Sequence, residues 1–529
     1  MIFRRLTKHL TDKPTLFLGL IALLTSLIVQ PGNLGSVDAS KRLQVAHSFW
    51  TREPAVIQEA GDDFGAVGRN GQPQAWFGIG QSLLMLVPDM IATGLVNSVS
   101  SLREIDQREN GSLRSTLVAY QISPLVCVLG IIVSFHLIRL FGFGVHEAIA
   151  GSVTLLYGTT FLHYTQIAQE NNFILLMTLL GFYFQFRWLR QHEFYCLIFG
   201  ATAYGFNLLT RLTTGLDLLA GGLFILICLW RARTSAAIFR RRLRSYLVTC
   251  VLVYGFFMLA ERFYHFYRFG TFVGTYIQLF GEKWKLLHPE LPASFPFSTP
   301  FLVGFLGPLI TPEKSIFIFD PLIVLTSILF FRFRKQICYE LKTFLLTSTL
   351  LLLGYISFYA TFFVWSGNSS WGDRYITTPV QLLAMISIPL LLRFHQYLKS
   401  PMEKAFYFSI AGLSVIIQAA SVILSYNVEL IQTETVGSRF IVGLRIINLI
   451  AMASGRFEKW GLAAGIPSRL TKINLMPFGP AESLPAPFGI VLTTVWIFLL
   501  VALLVTVYFF VHKIRRGDFL RLAQYHTQV

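Results

Sequence analysis

The chain has 529 residues, of which 54% are hydrophobic and only 13% are charged. A soluble domain carries about 25% charged residues, so this composition excludes a soluble protein and indicates a polytopic membrane protein. The formal net charge is +17. Lysine and arginine cluster in short stretches between apolar runs, which is typical of topology determinants and argues against a nucleic-acid-binding protein.

Apolar runs long enough to cross a membrane recur from one end of the chain to the other. The first run follows a basic N-terminal stretch, and we interpret it as a retained span. We predict twelve spans with both termini in the cytoplasm, at about 15–30, 115–139, 146–163, 171–188, 194–211, 215–231, 245–263, 316–331, 343–364, 375–392, 405–426 and 489–511. Every strongly basic loop then lies inside, as the positive-inside rule requires.

The run WFGIGQSLLMLVPDMIATGLV (76–96) is ambiguous, because it contains Pro88 and Asp89. If this run crossed the membrane, the basic loops 230–244 and 332–342 would lie outside, against the charge rule. We therefore predict that 76–96 lies along the outer surface or dips into it. The expected fold is an all-α bundle of about twelve transmembrane helices, with interfacial helices in the first outer loop.

Two regions are predicted along the chain. Residues 1–426 form a transmembrane domain whose first outer loop covers 31–114. Residues 427–529 hold a late outer loop with an interfacial helix, the last span and a basic cytoplasmic tail. None of the five cysteines falls in a segment predicted to lie outside. Neither a disulfide framework nor a metal-ligand spacing is indicated.

Polar groups near the outer membrane face are candidates for a functional site. In GSVDASKRLQVAHSFW (35–50), Asp38 begins a stretch in which apolar residues recur at helical spacing. Asp38 is either the N-cap of this helix or, with a second acid nearby, a general base or a ligand for a divalent cation. Glu170, in the short loop HYTQIAQENN, is the candidate second acid, and the alternative is a solvated surface residue.

Six segments, taken in order, resemble bacterial membrane glycosyltransferases of superfamily C (GT-C). This group includes the protein O-mannosyltransferases and the lipid A aminoarabinose transferase. The segments are VDASKRLQVAHSFW, GRNGQPQAWFGIGQSLLMLVP, IAQEN, FGTFVGTYIQLF, LITPEKSIFIFDPL and WGDRYITTPVQLL. The resemblance covers most of residues 10–395. It implies helices along the membrane in the first outer loop and an acid in the second, which agrees with the charge-based topology.

The resemblance implies sugar transfer from a polyprenyl-phosphate donor to a lipid, glycan or protein acceptor, with inversion at the anomeric carbon. Asp38 matches the first-loop aspartate that takes the proton from the acceptor hydroxyl or orients it, and Glu170 matches the second-loop acid. Some relatives place another acid directly after the first, where this chain has Ala39, which argues against the protein O-mannosyl type. The expected location is the inner or plasma membrane, with the active site on the periplasmic or extracellular face.

The implied leaving group is a phosphate monoester, which is already anionic, so one base and several phosphate-binding cations are sufficient. Arginine is favoured because it contacts phosphate in a bidentate manner, although each cation has an alternative as a snorkelling residue. The predicted substrate-binding residues come from outer segments and are Arg42, Arg211, Arg268, Lys283, Arg374 and Tyr375. The rings of WSGNSSWGDRY (365–375) either form an interfacial belt or stack on a sugar.

Two other functions stay open at this point. About twelve spans are also typical of secondary transporters, but those tend to carry charged or Gly/Pro-broken residues at mid-membrane in related halves. The interior of most spans here is apolar. A non-catalytic lipid-binding or scaffold protein of the same fold is the second alternative. No cofactor is required by the chemistry, and a divalent cation (Mg or Mn) is an optional one.

Overall fold

The structure is a computed structural model that describes residues 14–57, 64–108, 112–233, 235–368, 370–478 and 486–519. Over these residues the fold is all-α, apart from one short hairpin in which Ala66–Val67 pairs antiparallel with Pro73–Gln74. The prediction of an all-α chain with many helices of membrane-spanning length is confirmed.

The described α-helices are labelled in chain order. They are α1 Pro14–Val29, α2 Val37–Ser48, α3 Gly80–Ser98, α4 Ser100–Arg108, α5 Ser112–Leu140, α6 Val145–Tyr157, α7 Phe161–Gln166, α8 Glu170–Gln191, α9 Phe194–Thr210, α10 Gly215–Arg231, α11 Ala236–Phe269, α12 Tyr276–Leu287, α13 Phe301–Ile310, α14 Ile316–Phe319, α15 Leu322–Phe333, α16 Tyr339–Tyr359, α17 Thr377–Ala384, α18 Ser387–Phe394, α19 Pro401–Ile423, α20 Asn427–Thr435, α21 Ile441–Ala453 and α22 Ala486–Arg515.

The number of spans is smaller than predicted. Within the described ranges, eight helices are long and apolar enough to cross a membrane, or up to nine if one bent pair counts as a single span. Helices are present at all twelve predicted positions, but α1, α9 and α15 are apolar helices of only 10–17 residues. The predicted span 146–163 is divided into α6 and α7. Short and broken helices therefore account for the difference.

The ambiguous run 76–96 forms α3, which is followed by α4 at an angle of 109°. Asp89 of α3 is fully buried, and its Oδ2 contacts His47 Nδ1 at 2.7 Å and Trp50 Nε1 at 2.9 Å. Arg114 lies 3.7 Å from the other oxygen of this carboxylate. First-loop side chains therefore satisfy Oδ2 of this buried carboxylate and attach α3 to α2. That 76–96 does not cross the membrane stays a prediction.

Close helix packing in the bundle depends on small residues. A Cβ atom on Gly181 of α8 would lie 2.4 Å from the ring of Tyr204 in α9, and one on Gly200 of α9 would lie 2.6 Å from Gln185 of α8. Glycines at these two positions let the backbones of α8 and α9 approach each other. This contact positions the N-terminus of α8 next to the end of α9, where Glu170 and Arg211 are located.

The late loop folds back onto the first half of the chain. The backbone N–H of Asn474 donates to the carbonyl of Ile423 at 2.7 Å, and that of Met476 donates to Gln30 at 3.1 Å. Gln166 donates through Nε2 to the carbonyl of Asn474 at 2.9 Å. The late loop therefore packs against the loop that follows α1 and against α7.

Candidate functional site

The site begins at the N-terminus of α2. Ser36 is the N-cap of this helix, and its hydroxyl accepts the N–H of Ala39 at 3.2 Å. Asp38 lies in the first turn, where the helix dipole favours a negative charge. Because Ser36 is the cap, the Asp38 carboxylate is directed to another partner, and the N-cap alternative for Asp38 is wrong.

That partner is Arg374, in the loop before α17. Arg374 Nη1 donates to Asp38 Oδ2 at 2.7 Å, and the two side chains are 20% and 26% exposed. Both residues line a cavity. Burial alone lowers the pKa of Arg374, but Tyr375, Asp38 and Glu170 together raise it above its usual range. The two predicted acids therefore both act on the same guanidinium.

Glu170 is the first residue of α8, and its buried carboxylate forms ion pairs with both Arg42 and Arg211. Arg42 also lies over the ring of Phe77, with its Cζ 4.1 Å from the ring centre. Glu170, Arg42 and Arg211 are not among the residues that line the cavity. The second acid is thus held behind the cavity wall by two cations.

Tyr375 connects the two arginines next to the acids. Its ring centre is 5.4 Å from Cζ of Arg211 and 5.5 Å from Cζ of Arg374. The ring also stacks on Tyr359 of α16, with 4.1 Å between centres and an interplanar angle of 9°. Asn171 donates to the carbonyl of Arg374 at 2.6 Å. These contacts fix the position of Arg374 relative to α8 and α16.

The cavity has a volume of about 950 Å³. Four parts of the chain form its wall: the first outer loop, α7 and the loop after it, the loop before α17, and the late loop. Amide and hydroxyl side chains are numerous in this wall, and include Asn33, Ser36, Gln166, Gln169, Asn368, Ser370, Ser425, Asn427 and Asn474. The charged groups in the wall are Asp38, Arg374 and Lys472, and His163 and Tyr164 add titratable side chains.

Of the six predicted substrate-binding residues, Arg374 alone lines the cavity, and two of the others contact carbonyls of the first outer loop. Arg268 is buried at the end of α11, where its Nη1 donates to the carbonyls of Ala75 and Phe77, in the latter case at 2.8 Å. Lys283 donates to the carbonyl of Gly65 at 3.1 Å. Neither residue lines the cavity. Both attach the first outer loop to α11 and α12, so their positions favour a role in holding that loop.

Lys314 is a residue near the site that the sequence did not single out. It is 1% exposed, and its Nζ donates to the carbonyls of Asn368, Ser370 and Gly372 at 2.9, 2.7 and 3.1 Å. Burial lowers the pKa of Lys314 to about 8, and burial raises that of the neighbouring Asp373 to about 7. Lys314 thus holds the loop that ends in Arg374. Lys314 lies in LITPEKSIFIFDPL, one of the six segments that resemble GT-C glycosyltransferases, and this position could have identified it as a candidate.

The late loop also contributes to the wall in a way that the sequence did not indicate. Arg445 of α21 and Glu429 of α20 are fully buried and form a bidentate pair at 2.8 and 2.5 Å. Arg445 Nη1 donates to the carbonyl of Leu424 at 2.9 Å, and Nη2 donates to that of Ser425 at 3.3 Å. This pair fixes the chain segment that places Ser425 and Asn427 in the cavity wall.

In the described ranges, no group of three or more His, Cys, Asp or Glu residues is suited to hold a metal ion. Asp38 and Glu170 face guanidinium groups. The divalent cation stays a prediction.

Comparisons with known proteins give a distant structural likeness. No protein-family model matches the chain, and no curated protein matches it by sequence. The fold is similar to ArnT from Cupriavidus metallidurans bound to undecaprenyl phosphate, at 13% identity and a TM-score of 0.44, over 84% of this chain and 71% of that one. It is also similar to the oligosaccharyltransferase from Archaeoglobus fulgidus in the apo form, at 13% identity and a TM-score of 0.46, over 77% and 55% of the two chains.

Proposed function

We propose that this protein is a membrane glycosyltransferase. It moves a sugar from a polyprenyl-phosphate donor to an acceptor hydroxyl, with Asp38 as the general base. The observation that carries this proposal is the pair formed by Asp38 and Arg374 in the wall of the cavity of about 950 Å³. A carboxylate and a guanidinium at the same wall supply a proton acceptor and a phosphate ligand side by side.

The reaction requires one bond to form and one to break. The acceptor oxygen attacks the anomeric carbon while its proton passes to the Asp38 carboxylate. The bond from the anomeric carbon to the phosphate oxygen breaks, and the electron pair leaves with polyprenyl phosphate. Attack opposite the leaving group inverts the anomeric centre. Because the leaving phosphate is already anionic, no general acid is needed, and Arg374 stabilises the charge that it gains.

Arg374 also links donor binding to the base. Arg374 Nη1 donates a hydrogen bond to Asp38 Oδ2 at 2.7 Å. An entering phosphate competes for this guanidinium, because Arg374 can then exchange a carboxylate for a phosphate partner. Asp38 is thereby released toward the acceptor hydroxyl. The base becomes available when the donor is bound, which limits unproductive proton transfer.

Glu170, Arg42, Arg211 and Tyr375 form the support behind this pair. Glu170 forms ion pairs with both Arg42 and Arg211 and offsets one of their two positive charges, while Tyr375 lies beside both Arg211 and Arg374. The cluster has three arginines around two acids, so it retains a positive charge that favours an anionic donor. We propose that Glu170 acts as a positioning residue through Arg211.

The size and polarity of the cavity fit a sugar phosphate. Pockets of about 300–1,000 Å³ hold drug-sized ligands, and this cavity is within that range. Its amide and hydroxyl side chains match sugar hydroxyls as hydrogen-bond partners. A polyprenyl tail has no polar groups and is best left in the bilayer. The described helices that are long and apolar enough to cross a membrane make such a bilayer location available.

The test is transfer from a radiolabelled polyprenyl-phosphate sugar in proteoliposomes that contain the purified protein. Arg374→Gln removes the charge and keeps most of the length, so transfer should fall roughly 10- to 100-fold, as expected for loss of a charge-assisted hydrogen bond. The matched control is Arg456→Gln, which changes an exposed arginine of the late loop outside the cavity wall.

Wild type and Arg456→Gln should transfer label at similar rates. Equal transfer by Arg374→Gln would remove Arg374 from the phosphate site. If wild type transfers no sugar from any polyprenyl-phosphate donor, the enzyme proposal fails, and uptake assays on the same proteoliposomes then test the transporter alternative.

A further inference from the structure

We propose that a second cavity, at the opposite end of α11 from the candidate site, binds the headgroup of an anionic phospholipid. This cavity has a volume of about 480 Å³. It is lined by Phe194 of α9 and by residues of α11, namely Arg240, Arg241, Arg244, Ser245, Val248 and Thr249. The two cavities share no lining residue, so they are separate sites.

The three arginines of this cavity are available for a ligand. Among the described residues, two other arginines at this end form ion pairs: Arg187 pairs with Glu193 and Arg190 with Glu340, both at 3.1 Å. No described acid forms an ion pair with any of the cavity arginines, all of which are exposed. The cavity thus holds three positive charges without a counter-charge, which is the complement of a phosphodiester.

The arrangement on α11 also fits a lipid. Arg240 and Arg244 are four positions apart and therefore share a helix face, and Arg241 and Arg244 are three apart. Ser245 and Thr249 add hydroxyl groups on the following turn. Guanidinium and hydroxyl donors can surround the non-bridging oxygens of one phosphate.

The apolar side of the cavity supplies the second half of a lipid site. Phe194 and Val248 line the cavity, and both are exposed. Further along the same helices the surface stays apolar and exposed, at Ile198 of α9 and at Val251 and Leu252 of α11. Acyl chains therefore have a continuous apolar path away from the headgroup. A free anion would use only the arginine end of this surface.

The positive charge of the cavity favours an anionic lipid over a zwitterionic one. A zwitterionic headgroup carries a cation as well as a phosphate, and this cavity has no acid in its lining to receive it. Basic pockets between transmembrane helices are known to bind anionic lipid headgroups. The predicted topology places this loop inside, where anionic lipids would meet it.

The test is lipid retention by the purified full-length protein in detergent, measured by native mass spectrometry with phosphatidylglycerol or phosphatidylcholine. Wild type should retain phosphatidylglycerol at least fivefold better than phosphatidylcholine. The variant with Arg240→Gln, Arg241→Gln and Arg244→Gln should weaken retention at least tenfold. The matched control removes three exposed charges outside the cavity, by Arg233→Gln, Arg334→Gln and Lys335→Gln.

Arg244→Gln alone is the second variant, for the case that the triple variant does not fold. It should reduce retention of phosphatidylglycerol at least threefold. An equal loss of phosphatidylglycerol retention in the cavity variants and in the control would overturn the proposed site. Equal retention of the two lipids by wild type would overturn it as well. Inorganic phosphate alone should not displace phosphatidylglycerol. Displacement at matched phosphate concentration would assign the arginines to a free anion and overturn the lipid proposal.

Discussion

Asp38 and Arg374 are 336 positions apart in the sequence, and their side chains meet at 2.7 Å. Each residue could be selected from the sequence, because an acid at a helix start and an arginine in an aromatic loop are unusual next to apolar spans. The pairing itself could not be predicted, since it depends on how α2 and the loop before α17 meet in three dimensions. The same holds for Glu170, whose partners Arg42 and Arg211 come from two other segments.

Lys314 could not be ranked by residue type alone. A lone lysine between apolar segments has the same appearance as a snorkelling residue. Its role follows from the hydrogen bonds that its Nζ donates to three backbone carbonyls at 2.7 to 3.1 Å. Every residue has a backbone carbonyl, so the sequence does not show which carbonyls a lysine will contact. Arg268 is the converse case: the resemblance and its outer position predicted a substrate contact, and its Nη1 donates to the first-loop carbonyls of Ala75 and Phe77, which the sequence did not indicate.

Replacement of Lys314 tests whether this residue positions Arg374. Lys314→Met keeps most of the length of the side chain but removes the three hydrogen bonds from Nζ to backbone carbonyls, so the free energy of unfolding should fall by about 1–3 kcal/mol. The loop that carries Arg374 should loosen, and KM for the donor should rise several-fold. Thermal unfolding in detergent and donor kinetics are the measurements. The control is Lys335→Met, an exposed lysine. Unchanged KM and stability in Lys314→Met would contradict the positioning role.

Whole elements were more predictable than contacts. A helix is present at each predicted span because apolar runs of this length have few alternatives in a bilayer. The count of spans was less predictable, since hydropathy does not show where a helix stops early, as α6 does at Tyr157. The late loop gave no charge cluster, so the wall that it builds from Ser425 and Asn427 emerged only from the fold.

The arrangement of α3 and α4 gives a test of topology. If 76–96 does not cross the membrane, Ser100 and Ser235 lie on opposite sides, with Ser100 outside. A cysteine introduced at Ser100 should react with an impermeant maleimide in intact cells, and one at Ser235 only after permeabilisation. Both positions are exposed, and Cys338→Ser provides the background because the other four cysteines are buried. Labelling of both positions from the same side would contradict the predicted topology.

At the scale of the whole molecule, charge and polarity are divided between two ends. One end carries the cavity with Asp38 and Arg374, and the other carries the arginine cavity at the start of α11. The clustering of Lys and Arg in short loops predicted such a division, because the positive-inside rule assigns these loops to one side of the membrane. Long apolar helices connect the ends, with α22 largely exposed along its length. The proposed sugar transfer uses the end that carries Asp38 and Arg374.

The measurement that tests the central claim most directly is turnover by Asp38→Asn at saturating donor. This substitution keeps the size of the side chain and removes the proton acceptor, so kcat should fall roughly 100-fold or more. Donor binding should persist, because Arg374 remains and no longer has an anionic partner. Protein level and thermal stability serve as controls for folding. A large loss of kcat with retained donor binding is the predicted result, whereas near-normal turnover by Asp38→Asn would contradict the assignment of Asp38 as the general base.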